Sequence, residues 1–449
     1  MKRLFVVFIA LLAVVAMTLP AGAGVEFKYG GMYQARFNSN DNLADGNDDF
    51  DDNGNWIDQR VRMYFSFIAS ERLRLVTQWE ADTLWGNETP GAGRHGGGDV
   101  GADATNLEMK NVYIDFIIPN TPIRSTVGVQ ALALLTGWIV DDDFSGAVFS
   151  TEFAPFTFKA GYLAAQNENV TDTSENIDDL FISMDYVNGP FNAALVGFYQ
   201  YGHDTDVSVA FVESGTPFRD PTFPVEDNQL FDLGLNLGYK TDLFGLFFNG
   251  VKNFGSWDNS TTGDEVDYEG WMVEAGANLF INDFTFTLSG FYTSGDDDLS
   301  DDSDKMFVAP LGRSHYWSEI MGLGTFSDVN VGDAGESDRV VDNGEYGAAD
   351  YPSNLWTISV GAAWQALEGT KLTLNYYYIA TAEDVLSNFA TGETDDTIGH
   401  ELDFYLDQDV VDGMTLRLGA AYLWADDAYT VFADDDNAYE LGAQLLWTF

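Results

Sequence analysis

The sequence contains no cysteine, four histidines, and 20 Lys+Arg in 449 residues. Without thiols there is no disulfide framework, thiolate zinc site or cysteine nucleophile, and four scattered histidines leave little material for a transition-metal centre. Positive charge is scarce against 72 Asp+Glu, for a formal charge of -52. Such a chain is repelled by phosphate backbones, which excludes nucleic acid as a partner. Beyond residue 23 no stretch approaches the roughly 18 consecutive apolar residues of a membrane helix.

Large apolar residues are plentiful: 34 Phe, 21 Tyr and 11 Trp within a 45% hydrophobic content argue against a disordered acidic chain. The apolar residues and the charges are therefore segregated. Residues 1–23 read as a secretory signal, with Lys2 and Arg3 before an apolar run from Leu4 to Leu19 and an A-x-A site at Ala21 and Ala23. The apolar run is short for a spanning anchor. Cleavage after Ala23 leaves residues 24–449 as a single domain.

Period-2 alternation dominates that domain. Trp271, Val273, Ala275, Ala277 and Leu279 alternate with Met272, Glu274, Gly276 and Asn278, and Trp356, Ile358, Val360, Ala362 and Trp364 alternate with Thr357, Ser359, Gly361 and Ala363. These are strands with one apolar and one polar or small face. About 18 such segments occur, 16 being the alternative count, each near the length that crosses a bilayer at a tilt. Connections alternate between short turns and long acidic or Gly-rich loops, among them 39–56, 132–145, 295–353 and 381–399. The expected fold is all-β, a transmembrane up-and-down antiparallel barrel with short periplasmic turns and long extracellular loops.

The final strand places Tyr439, Leu441, Leu445, Trp447 and Phe449 on one face and stops at the aromatic. A strand ending in Phe resembles the assembly signal of bacterial outer-membrane barrels, and the whole mature chain resembles a Gram-negative outer-membrane porin. The segment NVYIDFIIPNTPIRSTVGVQ at 111–130 is also similar to alginate-export-type 18-strand porins. The resemblance implies residence in the outer membrane among its lipid and lipopolysaccharide, recognition by the barrel-assembly machinery, and a homotrimer. It implies a channel for ions and small hydrophilic solutes, not an enzyme. The alternative is a selective channel for an acidic sugar or polysaccharide.

With the apolar face toward lipid, the other face lines the lumen. It carries Lys28, Arg36, Arg60, Arg62, Arg72 and Arg74 on the first three strands, and Asp179, Asp185, Asp232, Glu274, Asp403 and Glu440 on later ones. Two readings follow: a basic wall facing acidic positions in a transverse field, or local salt bridges between neighbouring strands. The apolar loop ahead of Asp141, Asp142 and Asp143 is the candidate to fold inward and narrow the channel, an extended strand pair or subunit contact being the rival and the 295–353 loop a second contender. Acidic loops rich in carboxylates and carbonyl oxygens suit Ca²⁺ or Mg²⁺. Asp49, Asp51 and Asn53 match the opening of a calcium loop, but the twelfth position is Arg60 instead of a bidentate Glu. A solvated acidic loop is the preferred reading.

Overall fold

A computed structural model describes residues 24–43, 54–86, 98, 100, 107–167, 176–202, 225–259, 265–297, 302–310, 315–322, 324–326, 352–388, 391–429 and 437–449. The wall begins with β1 (Glu26–Asp41), β2 (Gly54–Ser70), β3 (Leu73–Leu84), β4 (Glu108–Ile117), β5 (Arg124–Leu134) and β6 (Val140–Phe153). It continues through β7 (Phe156–Asn167), β8 (Asn176–Asn188), β9 (Phe191–Gly202), β10 (Val225–Lys240) and β11 (Phe244–Asn259). After the short β12 (Glu265–Tyr268) come β13 (Trp271–Ile281), β14 (Phe284–Thr293) and the two-residue β15 (Ser303–Asp304). The wall ends with β16 (Leu355–Leu367), β17 (Thr370–Asn388), β18 (Glu393–Val411), β19 (Met414–Ala425) and β20 (Ala438–Thr448).

Each wall strand pairs antiparallel with the next, and β20 returns to β1 with Tyr33 opposite Trp447 and Phe37 opposite Ala443. Leaving out β12 and β15, which pair with each other in parallel, the wall is a closed barrel of 18 strands. Closure satisfies every strand edge from within, the condition for a sheet to sit in hydrocarbon. Among the described residues no helix is long and apolar enough to cross a membrane.

The period-2 pattern sets the two faces. Along β14, Phe284, Phe286 and Leu288 are exposed while Thr285, Thr287 and Ser289 are half-buried. Along β18, Phe404 is exposed between the fully covered Asp403 and the half-buried Tyr405. This inversion, apolar out and polar in, is that of a barrel bathed in lipid. Tyr29, Trp271, Trp364, Tyr422 and Trp447 all stand on the exposed face.

All 18 expected segments are strands, but many run further at the long-loop end. The loop expected at 381–399 is mostly the hairpin of β17 and β18, each of 19 residues. Strands of this length exceed the 9 to 11 residues that a tilted crossing needs, so polar alternation continues outside the apolar band. Likewise the loop expected at 132–145 is largely strand: β5 and β6 stay paired out to Leu134 opposite Val140.

Candidate functional site

The inner face of β1 to β5 is a ladder of ion pairs. Arg36 on β1 is 1% exposed and donates from Nε to Asp58 Oδ1 at 3.1 Å. Arg60 holds Asp82 through two nitrogens, at 3.0 and 2.8 Å, with Glu80 3.7 Å away. Arg62 bonds Glu80. Asp115 on β4 sits between two arginines, accepting from Arg74 at 2.7 Å and from Arg124 at 2.7 Å. The register dictates these pairs, because Arg60 lies opposite Asp82, Arg62 opposite Glu80 and Arg74 opposite Asp115. Directly opposed unlike charges on one sheet face attract, and burial of the acids strengthens the attraction.

On β1 to β5 the arginines thus interleave with acids of neighbouring strands, the second of the two readings of the sequence. Asp58, Glu80, Asp82 and Asp115 stand among the arginines and were readable from parity: Asp58 precedes Arg60 by two, and Glu80 and Asp82 share the even face of Arg74. Arg124 completes the ladder from the fifth strand. Arg72 is not on the wall; it lies exposed in the turn after β2. Lys28 is exposed near the barrel's turn end, 3.3 Å from Glu26.

The acids of the later strands are mostly buried and held by amides. Asp179 accepts from Gln200 at 2.9 Å, Asp232 from Asn253 at 2.6 Å, and Glu440 from Asn38. Asp185 is half-buried beside Lys159 at 3.2 Å. Glu274 accepts two bonds at 2.7 Å, one from Asn249 and one from Trp138.

That last bond spans the lumen, because Trp138 belongs to the β5–β6 hairpin and Glu274 to β13. The hairpin tip turns through a 3-10 turn at Leu135–Gly137 and buries Leu134, Leu135, Trp138, Ile139 and Val140. Leu135 and Ile139 reach the inner face of β10 at Gly234, their methyl ends 2.9 Å from where a Cβ there would stand. The sequence candidate therefore folds inward, but as an extended hairpin led by its apolar tip. Asp141 and Asp142 are exposed on β6 behind it, and Asp143 pairs with Lys110 at 2.8 Å and Asn111 at 2.6 Å.

A second insertion comes from the long connection between β15 and β16. Glu401 on β18 accepts from Ser318 Oγ at 3.0 Å and from the amides of Ile320 and Met321 at 2.7 and 3.1 Å. Asp403 accepts from the Glu319 amide at 3.2 Å. Glu319 itself accepts from Tyr405 Oη at 2.7 Å and from the Phe326 amide at 2.8 Å. Burial pushes the Glu319 carboxyl above its ordinary range, hydrogen bonds from Tyr405 and from the amides of Phe326 and Thr325 pull the other way, and the charge of Glu401 adds to the rise. Arg36 and Arg417 donate to the carbonyl and hydroxyl of Thr325 at 3.1 and 3.3 Å. The Phe326 ring lies on Gly419 of β19 and Gly442 of β20, cross-strand partners whose missing Cβ atoms make its seat. The two insertions meet where the rings of Trp138 and His315 approach to 3.9 Å between centroids.

The barrel thus has an apolar outside, a charged inside and two segments folded into its bore. No family model and no curated protein matches the sequence. Solved structures do match over nearly the whole chain. The outer membrane protein opdK from Pseudomonas aeruginosa shares 12% identity at a TM-score of 0.54, covering 94% of this chain and 99% of that one. The chain has the fold of an outer-membrane porin. OccAB3 from Acinetobacter baumannii, at 11% identity and TM-score 0.55, covers 94% and 100%. A BenF-like porin from Pseudomonas fluorescens Pf-5, at 12% and 0.56, covers 95% and 100%. These likenesses extend the porin fold to the entire wall, from β1 to β20.

In this porin fold the buried carboxylates Glu319 and Glu401 were missed from sequence. Glu401 shares parity with Asp403, which is a signal for it. Glu319 lies in a loop with no periodicity to place it. Asp49, Asp51 and Asn53 lie outside the described residues, as does the segment 1–23. His400 stands beside Tyr376 on the exposed side, its Nδ1 2.6 Å from the phenol oxygen.

Proposed function

We propose that the protein is an outer-membrane porin whose water-filled channel passes ions and small hydrophilic solutes by passive diffusion. The observation that carries this is the closed 18-strand barrel with an apolar exterior and an ion-paired, amide-rich interior, the porin fold of the matched structures. The inward-facing charged set is Arg36, Arg60, Arg62 and Arg74 with Asp58, Glu80, Asp82 and Asp115 on one wall, and Asp179, Asp185, Asp232, Glu274, Asp403 and Glu440 around the rest. Because these arginines are matched by acids within the ladder, the acids of the long loops govern the field at the mouth. They concentrate cations over about 10 Å at 0.1 M salt.

Reversal potentials across planar bilayers in a KCl gradient test this. The expected outcome is conduction with a modest cation preference that fades with rising salt. Absence of conduction by the folded barrel would overturn the proposal. In the same reading residues 1–23 are removed on export, the terminal strand through Phe449 is what the assembly machinery recognises, and the barrel is a homotrimer. Native-gel mobility before and after boiling checks that last point. A selective channel for an acidic sugar polymer is the second reading, favoured by the two insertions that narrow the bore. It predicts that the polymer blocks the current.

A further inference from the structure

The inner face of β13 to β17 is chemically unlike the ion-paired wall. Glu274, Thr287, Ser289, Thr357, Ser359 and Asn375 line a cavity of about 240 Å³ there, closed on its other side by His315, Tyr316 and Trp317 of the inserted segment. No lysine or arginine is among its described lining residues. The volume corresponds to about eight waters in the liquid, the size of one small solute.

Most polar groups in this cavity already answer one another. Ser289 and Ser359 share a bond of 2.7 Å, Thr287 donates to Asn278 at 2.8 Å, and Glu274 holds Trp138 and Asn249. Two do not: Trp317 Nε1 and Thr357 Oγ1 are buried without a hydrogen-bond partner. Thr357 is 3% exposed and no side chain answers its hydroxyl, so it gains a partner where a small movement of the inserted segment at 315–317 admits one from the cavity. A buried donor or hydroxyl left unmet costs free energy that a bound ligand recovers. Beside these atoms Tyr316 offers a ring that is 55% exposed.

The ligand that answers this lining must accept from an indole N–H, exchange hydrogen bonds with hydroxyls and amides, and present C–H faces to aromatic rings. It must also carry no negative charge, since Glu274 lines the cavity and Tyr377, another lining residue, is paired across the sheet with Glu401. Hydroxyls, which both donate and accept, on a carbon ring meet all four conditions. We infer that this cavity is a subsite for a neutral sugar or similar polyol in transit, a reading that rests on the channel proposed above.

Single-channel recording with glucose, gluconate and glucosamine as probes tests it. Glucose interrupts the current in a saturable way, while gluconate at the same concentration does not. T357V, which keeps the shape and removes the hydroxyl, raises the half-blocking glucose concentration about tenfold. W317F moves it in the same direction. S183A, which deletes a buried hydroxyl on β8 outside the cavity, leaves it unchanged, and heat-dependent gel mobility verifies that each variant is folded. Open channels indifferent to glucose would overturn the subsite and spare the channel. So would block by gluconate equal to that by glucose, or by glucosamine tenfold more strongly. If the folded barrel passes no current, the channel reading falls; calorimetric titration with glucose then decides the subsite alone, binding weakened by T357V supporting it and absence of binding overturning it.

Discussion

At the scale of single residues, the ladder on β1 to β5 follows from strand parity and register. Arg36 is its most enclosed member, with its charge answered by Asp58 on the neighbouring strand and its second nitrogen by the Thr325 carbonyl. Removing one partner of a buried pair leaves the other uncompensated, at about 3 kcal/mol or more. We expect R36Q to lower the urea midpoint of the refolded barrel accordingly, whereas R74Q, whose side chain is 42% exposed, costs less than about 1 kcal/mol because water screens it. Equal midpoint shifts for the two would contradict this. Much of this level was legible in the sequence: the arginines alternate with outward apolar residues, so their inward direction was fixed by the pleat. Their partners were equally legible in parity. They are harder to single out, because acids are so numerous that a few on the wall look unexceptional.

At the scale of elements, the two insertions behave differently. The hairpin tip is apolar, and its anchor is Trp138, which is fully buried against Phe291, Phe307 and His315. We expect W138A to destabilise the barrel by about 3 kcal/mol and to raise single-channel conductance as the tip loosens; an unchanged conductance would show that the tip does not restrict the path. The second insertion is polar and docks by carboxylates. Glu319 faces Glu401, Asp403 and Tyr405 of β18, Arg417 of β19 and Tyr377 of β17. On β15, just ahead of that connection, burial raises the Asp304 carboxyl to about 7, a bond from the Met306 amide opposing and Asp296 reinforcing the rise. An acid whose pKa is raised by docking holds its proton more tightly in the docked state. Its contribution is therefore present at low pH and declines as pH climbs, for Asp304 between 3.8 and about 7. Limited proteolysis within 302–326 is accordingly expected to be slow at pH 5 and faster at pH 8, and a rate independent of pH would refute it. The hairpin was readable as a candidate because its apolar run broke the pattern of acidic loops. The docking of 315–326 was not, since it depends on partners some 80 residues away on β18 that no local spacing brings together.

At the scale of the whole molecule, 18 strands were countable because each carries its own alternation, while the closure that makes them one object depends on the chain's two ends. Gly31 and Phe449 exchange backbone hydrogen bonds of 2.9 and 3.1 Å, and a Cβ on Gly31 would stand 2.5 Å from the Arg62 carbonyl of β2 and 2.7 Å from the Phe449 ring. A side chain at Gly31 therefore pushes against the second strand and the last residue together. This seam is also the pairing of greatest sequence separation, so loop entropy places its formation late in folding. Until it forms, the sheet has two free edges, each a row of unmet amides and carbonyls able to recruit a strand from another copy. The glycine at position 31 thus governs whether growth of the sheet terminates. With a bulkier residue such as valine there, the expected product is not a weaker barrel but an open ribbon that propagates into aggregates, visible as a shift from monodisperse to polydisperse light scattering on refolding.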